Sequence, residues 1–566
     1  MGFAPFTGDT PLRPKDTWWY LGFFFDRRLT FKEHVRFYTT KALTMEQAFR
    51  MLGNSSRGIT PMQKRLLYRS CVIPVLTYGL RLWYFSGARV RGVIRSMEQV
   101  QRRAALWISG NFKMSTVGWA ESSVGLLPLH LLLRRLVERG CFRAPLLAPS
   151  HPLQAVIGTA LSGGVPAHPL GLPGGGVFLA APLKSSSVDS AEAAGVATTD
   201  VLNPFGVKLC PGNRVLDLFW DRITTRSPPS RRAEDVEAYV AELDAAWASA
   251  KADPTCVVVV SDAAVQCDPT AQAVACALVF VAGEEVRQIR SAAGLRSASE
   301  TECFALQLGI SVAVAAGCQR LVVFSDLAPA MEIVFDTRIC SGQVFSLNAC
   351  KSVRPWFSRD DGCWILLMQV PSRLEWGVQK EAHDTAKAVP RISVGPRLRT
   401  SIDFLLTKAD RLAEKDWHRL WQQSSYWGQS VYPIEESRGK PLLPSTRKGG
   451  PWLKYVGHDN ALTACSNRVL CGHAPIGEYR RRFHLAGDIY CRCAHRPVQT
   501  QDHLLRVFPG MTRKEHRCVF PGMTCKEHRC APSDWEEWVL MLKVNSLLGA
   551  FPPTLPLVEE EGWGPG

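Results

Sequence analysis

The sequence predicts a multidomain protein. Its centre reads as α/β, one mixed five-stranded sheet with flanking helices, and its N-terminal region reads as mainly α. Three observations lead there. The chain has 566 residues, too many for one core at roughly 150 residues per domain. Near residue 254 the pattern changes from helical spacing to short runs of Val, Ala and Leu. The charge also divides the chain. Residues 1–150 hold 23 Lys/Arg against 8 Asp/Glu, residues 254–390 hold 11 against 14, and residues 440–532 hold 16 against 6. Two basic flanks around a slightly acidic centre suit a polyanion, most simply nucleic acid. A merely soluble basic surface is the alternative.

Residues 18–30, "WWYLGFFFDRRLT", read as a strand and turn entering a helix, "FKEHVRFYTTKALTMEQAFRML". Thr60-Pro61 supplies an N-cap and a first-turn proline for one long helix, "PMQKRLLYRSCVIPVLTYGLRLWYF". A third helix carries Val93, Met97, Val100, Ala104 and Trp107 on one stripe, and "LLPLHLLLRRLVERG" is a fourth. These make a helical, basic region over 18–145. The Pro, Gly, Ala and Ser content of 146–215 reads as a linker. A linker helix fills 216–253.

The centre, 254–392, opens with three successive strands, "CVVVVSDAAV", "AVACALVFVAG" and "EVRQIRSAAG". A helix "SASETECFALQLGISVAVAAG" follows and stops at Gly317. Then come the strand "RLVVFSD", the helix "LAPAMEIVFD", the strand "CWILLMQVP" and the helix "KEAHDTAKAV". The order β-β-β-α-β-α-β-α indicates a mixed sheet with helices against it. A helical connector (393–439), a basic Cys/His segment (440–535) and a tail (536–566) complete the chain. The Cys/His segment holds a tandem repeat, "VFPGMTRKEHRC" then "VFPGMTCKEHRC", differing only at Arg513 and Cys525. Such near-identity indicates a recent duplication rather than a repeat architecture.

The 18 cysteines are scattered through apolar stretches, and the first residues lack an apolar signal core. Reduced thiols and an intracellular setting, nuclear or cytoplasmic, are expected. No apolar run approaches the ~18 residues of a membrane span, so no membrane partner is expected. Oligomeric state is not readable.

Four acids are placed to converge: Asp262 ending the first strand, Glu302 in the first turn of the first helix, Asp326 ending "LVVFSD", and Asp384 early in the last helix. Crowded carboxylates hold hard divalent cations. Two such ions about 4 Å apart activate water against a phosphodiester. Each acid also has a local alternative. Asp262 can be a turn residue, Glu302 the end of a Ser299–Glu302 capping box, Asp326 an N-cap, and Asp384 part of a solvated helix face.

In this order and on these elements, residues 254–390 resemble a type 1 ribonuclease H domain of the form carried by non-LTR (LINE-type, fungal-like) retrotransposons. "SDAAV" is similar to that family's "TDGS", "TECFAL" to "AELxAL", "VVFSDLAPAM" to "IxTDSxxAL", and "GVQKEAHDTAKA" to "GIxGNExADxLAK". The resemblance implies Asp262, Glu302, Asp326 and Asp384 as catalytic ligands of two Mg²⁺ (or Mn²⁺) ions. It further implies a hydrolase, an endonuclease acting on the RNA strand of RNA–DNA hybrids. The sequence departs from the family at Ala263-Ala264, and Glu375 stands where the family has a mobile histidine; His383 is the candidate substitute.

Residues 18–145 resemble the thumb-like region after the palm of the same reverse transcriptases, through "WYLGFFFDRRLTFKEHV" and "LLYRSCVIPVLTYGLRLWY". No "YxDD" or "FxDD" polymerase motif occurs, so no RNA copying is expected, and the chain reads as the C-terminal part of a longer protein. The terminal segment resembles the family's Cys/His segment. That implies zinc ligands at Cys491, Cys493 and His503, with Phe508 replacing the last cysteine and Cys518 or Cys525 as alternatives. Partners are then RNA–DNA hybrid and element RNA. Two functional readings follow: a retrotransposon-derived ribonuclease H, or a catalytically inert nucleic-acid-binding remnant.

Overall fold

Val257, Val258, Val259 and Val260 feed two cores alternately. Val257 and Val259 pack with Leu306, Ile310, Val323 and Ile365, whereas Val258 and Val260 pack with Tyr239, Leu243, Phe324 and Ala382. Side chains alternate across a strand, so an unbroken apolar run marks a strand covered on both faces. The computed structural model shows that strand at the middle of a sheet. It describes residues 6–7, 10–11, 15–84, 91–143, 215–229, 233–265, 272–337, 342–371, 374, 376–388, 400–427, 443–447, 453, 456–473, 476–490 and 497–500. The chain divides into two compact units, Glu138–Ala409 and the remainder.

The sheet of the central unit has six strands, not the expected five. They are β1 (Ile223–Arg226), β2 (Cys256–Ala264), β3 (Ala273–Val281), β4 (Glu284–Gly294), β5 (Arg320–Ser325) and β6 (Trp364–Gln369), in the order β1-β6-β5-β2-β3-β4. β2, β3 and β4 pair antiparallel, while β1, β6, β5 and β2 run parallel. Between β3 and β4, Ala282 (φ 51°) and Gly283 (φ 83°) both take positive φ, as a tight two-residue hairpin turn requires. β1 lies within 216–253, read from sequence as a linker helix. Four residues before a proline pair carry too little period-2 signal, and only pairing along Trp364–Gln369 makes them a strand.

Helices cover both faces. On one lie α2 (Ala298–Ala315), α3 (Ala328–Ile333) and α4 (Gln343–Arg359). α4 has no counterpart in the sequence reading, because Pro355 sits inside it and polar residues interrupt its stripe. The other face holds α1 (Ala233–Ala252) and α5 (Gly377–Lys387). α1 buries Tyr239, Leu243 and Ala250 on the sheet. α2 rides close on β2: a Cβ at Gly309 would stand 2.3 Å from the Val259 side chain.

In the other unit, the strands Thr17–Tyr20 and Phe23–Asp26 form a hairpin before the helix Lys32–Arg50. Thr60 and Gln63 form a capping box ahead of Pro61. The long helix expected from there is broken. A π turn at Tyr68–Val72 precedes Pro74, whose ring cannot donate into the helical ladder, and Gly79 takes φ 67°. Met97, Val100, Ala104 and Trp107 form the buried stripe of the helix Arg91–Ser109. The helix Asn460–Leu470 packs beside it, with Asn467 Nδ2 donating to Ser109 O (3.0 Å) and Arg468 Nε to Gly110 O (2.8 Å). Among the described residues, Cys71, Cys256, Cys276, Cys303, Cys318, Cys350, Cys363, Cys465 and Cys471 form no disulfide. Among the described residues no helix is long and apolar enough to cross a membrane.

Candidate metal centre

The same dipeptide, Ser261-Asp262 and Ser325-Asp326, stands in both parallel strands. β5 stops at Ser325, whereas β2, expected to stop at Asp262, runs on to Ala264 because Asp262, Ala263 and Ala264 still pair with Cys276, Ala275 and Val274 of β3. β2 and β5 are parallel neighbours in register, and their last pair is Ser261 with Ser325. The residues that follow therefore stand side by side, one strand spacing apart. Gln379 Nε2 on α5 donates to Ser261 O (2.9 Å), fixing that helix against the end of the parallel pair.

Glu302 arrives from α2. The capping box of this helix is Ser297 with Glu300, each side chain bonding the other's backbone, and not Ser299 with Glu302. Glu302 thus lies at the start of the second turn, and its carboxylate is left for the sheet edge. Nor does Asp326 cap α3, whose N-cap is Leu327 without a side-chain bond. Both local alternatives for these acids are absent.

Carboxylate oxygens of Asp262, Glu302 and Asp326 all lie within 4.8 Å of one another. Asp262 and Glu302 are buried, and Asp326 is half-buried. Burial first, and the neighbouring Asp326 charge second, push the Asp262 carboxyl up to about 6. Burial, then the charges of Asp326 and Asp262, hold Glu302 well above the usual carboxylate range. Burial raises Asp326 as well, against the pull of His383. One oxygen of Glu302, Oε2, is buried with no hydrogen-bond partner. Leaving such an atom unpaired costs roughly 1–3 kcal/mol. A divalent cation at the common point of the three acids removes both penalties, so the residues fit a hard cation with oxygen ligands.

Asp384 is not in this group. It is exposed, on the outer side of α5, in an open cleft of about 490 Å³ with Arg290, Lys380 and Glu381. Its neighbour His383 takes the inward place, with Nδ1 3.0 Å from Asp262 Oδ2. The sequence held the signal for this. Ala382 and Ala386, one turn apart, define the buried stripe of α5, and His383 borders that stripe. Cys491, Cys493 and His503 lie outside the described residues, as do Glu375, Phe508, Cys518 and Cys525.

No family model matches the chain. A curated relative, the probable RNA-directed DNA polymerase from transposon BS of Drosophila melanogaster, is 33% identical over 85 residues. That stretch is 15% of this chain and 9% of the relative. Similar solved structures include the N-terminal RNase H domain of a Mycobacterium tuberculosis protein, fused to maltose-binding protein. It is 18% identical, with TM-score 0.20, covering 24% of this chain and 94% of that one. RNase H1 of Halobacterium salinarum is 14% identical, with TM-score 0.19, covering 23% and 97%.

Proposed function

We propose that the central unit is a metal-dependent nuclease of ribonuclease H type. It would hydrolyse the RNA strand of RNA–DNA hybrids and belong to a retroelement reverse transcriptase protein. The convergence of Asp262, Glu302 and Asp326 at one sheet edge, with a buried Glu302 oxygen left unpaired, carries this reading. The transposon relative supports the retroelement origin.

Asp262, Glu302 and Asp326 would hold one or two divalent ions, Mg²⁺ or Mn²⁺. Bound there, such an ion supplies a nucleophilic water and neutralises charge on the phosphate. Asp262 and Asp326 fix the position through the parallel register, and Glu302 closes it from the helix above. The other unit offers a groove of about 540 Å³ whose charged lining is Lys32, Arg36 and Arg103 with one acid, Glu33, 3.8 Å from Arg36, a net excess of positive charge, with Thr40, Ser96 and Gln99 beside them. Cations and hydroxyls in that arrangement suit a phosphate backbone without base readout.

Cleavage of an RNA–DNA hybrid by the full chain, with Mg²⁺ or Mn²⁺, tests the proposal. Asp326→Asn should lower the rate about 10²–10³-fold, the several kcal/mol that metal-ion catalysis supplies. Hybrid binding by the wild type without any cleavage would establish the inert remnant instead.

A further inference from the structure

α5 presents an imidazole to the carboxylates where the sequence resemblance places an acid. Gln379, Ala382 and Ala386 are buried against the sheet. His383 lies four residues after Gln379, on the same side of the helix. Asp384 is one residue on, about 100° further round, and opens into the cleft with Arg290 and Lys380. The Gln379 bond to Ser261 O holds this register. A helix rotation that brought Asp384 inward would break that bond and expose Ala382 and Ala386.

His383 Nδ1 stands 3.0 Å from Asp262 Oδ2. Adjacent ligand atoms of one octahedral ion, each about 2.1 Å from the metal, are about 3 Å apart. The observed spacing is a hydrogen bond between the two side chains, and it equals that of two neighbours in one coordination shell. His383 stands outside the three acids whose oxygens lie within 4.8 Å of one another, and its half-exposed side chain has room to swing onto an ion they hold. The His383 side chain is 45% exposed and that of Asp262 is 3% exposed. The imidazole therefore sits on the solvent side of the cluster, where an entering ion meets it first.

We propose that His383, not Asp384, supplies the fourth ligand of the centre beside Asp262. The donor set is then mixed, one imidazole with carboxylates, and it selects Mn²⁺ over Mg²⁺. Imidazole nitrogen suits borderline first-row ions, whereas Mg²⁺ takes oxygen donors almost alone. This rests on the reading of Asp262, Glu302 and Asp326 as a metal centre.

Pulsed electron paramagnetic resonance of the full chain loaded with Mn²⁺ separates the two ideas without an activity assay. A directly bound imidazole nitrogen modulates the Mn²⁺ spin echo. That ¹⁴N modulation is expected in the wild type and in Asp384→Asn, and should vanish in His383→Ala and His383→Gln. Mn²⁺ affinity should fall about 10–100-fold on loss of His383 and hold in Asp384→Asn. Asp262→Asn should abolish the site. Mn²⁺ binding that needs Asp262 but shows no ¹⁴N modulation, or that Asp384→Asn weakens more than His383→Ala, overturns the role of His383 and leaves the centre standing. Mn²⁺ binding unchanged by Asp262→Asn overturns the centre itself.

Discussion

Both units bury ionisable side chains, but they compensate them differently. In the helical unit Glu46 is buried against Arg50 Nε (2.6 Å) and near Arg103 Nε (3.7 Å). Lys64 donates to Asn54 O (2.6 Å) and Asn460 Oδ1 (2.8 Å), and Arg65 donates to the carbonyls of Val124, Gly125 and Thr446. Glu121, pushed up to about 7 by burial, still accepts from Gln101 and Tyr426. In the central unit three carboxylates crowd together, and among the described residues the basic side chain bonded to them is a half-exposed histidine. The first pattern keeps a fold together. The second leaves a deficit that the proposed cation would fill, at some expense of stability, as functional sites commonly do.

That contrast can be broken most sharply at Glu46. Arg50→Ala removes the hydrogen-bonded partner of the buried Glu46 carboxylate, leaving it Arg103 at 3.7 Å, and should destabilise the helical unit by up to about 3–5 kcal/mol in urea unfolding. A loss below 1 kcal/mol would show that the ion pair is idle. Next comes the close approach that seats Glu302 over the sheet. Gly309→Ala forces a methyl group against Val259 and should cost about 1–3 kcal/mol, with weaker Mn²⁺ binding as α2 lifts. Unchanged metal affinity alongside lost stability would mean that α2 does not set the site.

Glu302→Gln should act with the opposite sign. It removes like-charge repulsion, so the metal-free protein should gain about 1–2 kcal/mol while losing its stabilisation by Mn²⁺. Destabilisation would remove the case for a functional deficit. The smallest effect is in pH. A carboxyl whose folded value is raised contributes stability that is fully present below its unfolded value and is lost as pH rises through the folded one. For Asp262, at about 6 when folded, the metal-free central unit should lose about 1.4 kcal/mol between pH 5 and pH 7. Saturating Mn²⁺ should flatten that slope. The rise of Glu121 gives the helical unit a slope of the same sign, and Mn²⁺ should leave it in place.

Much of the central unit was legible because its signals are local. The valine run, the Gly317 stop and the spacing of apolar residues each follow from one stretch of chain. So did three of the four acids, since Asp262 follows the valine run, Asp326 follows a strand and Glu302 lies near the start of a helix. β1 and α4 were not legible. One depends on a partner strand some 140 residues away in sequence, and the other tolerates a proline that propensity counts against it. The capping box was misplaced by two residues because "SASETE" offers two serines at the right spacing from a glutamate, and packing selects between them.

By itself, then, the sequence determined the element order of the central unit, the burial of β2 on both faces, and the identity of the acids at its edge. Backbone propensity and hydrophobic period suffice for these, because both act within a few residues. Only the tertiary structure decided that Ser261 pairs with Ser325 in parallel, which sets Asp262 beside Asp326. It alone decided the rotation of α5, which turns His383 inward and Asp384 outward. Register and helix rotation are settled by the packing of distant side chains, here Ala382 and Ala386 on the sheet and Gln379 on Ser261.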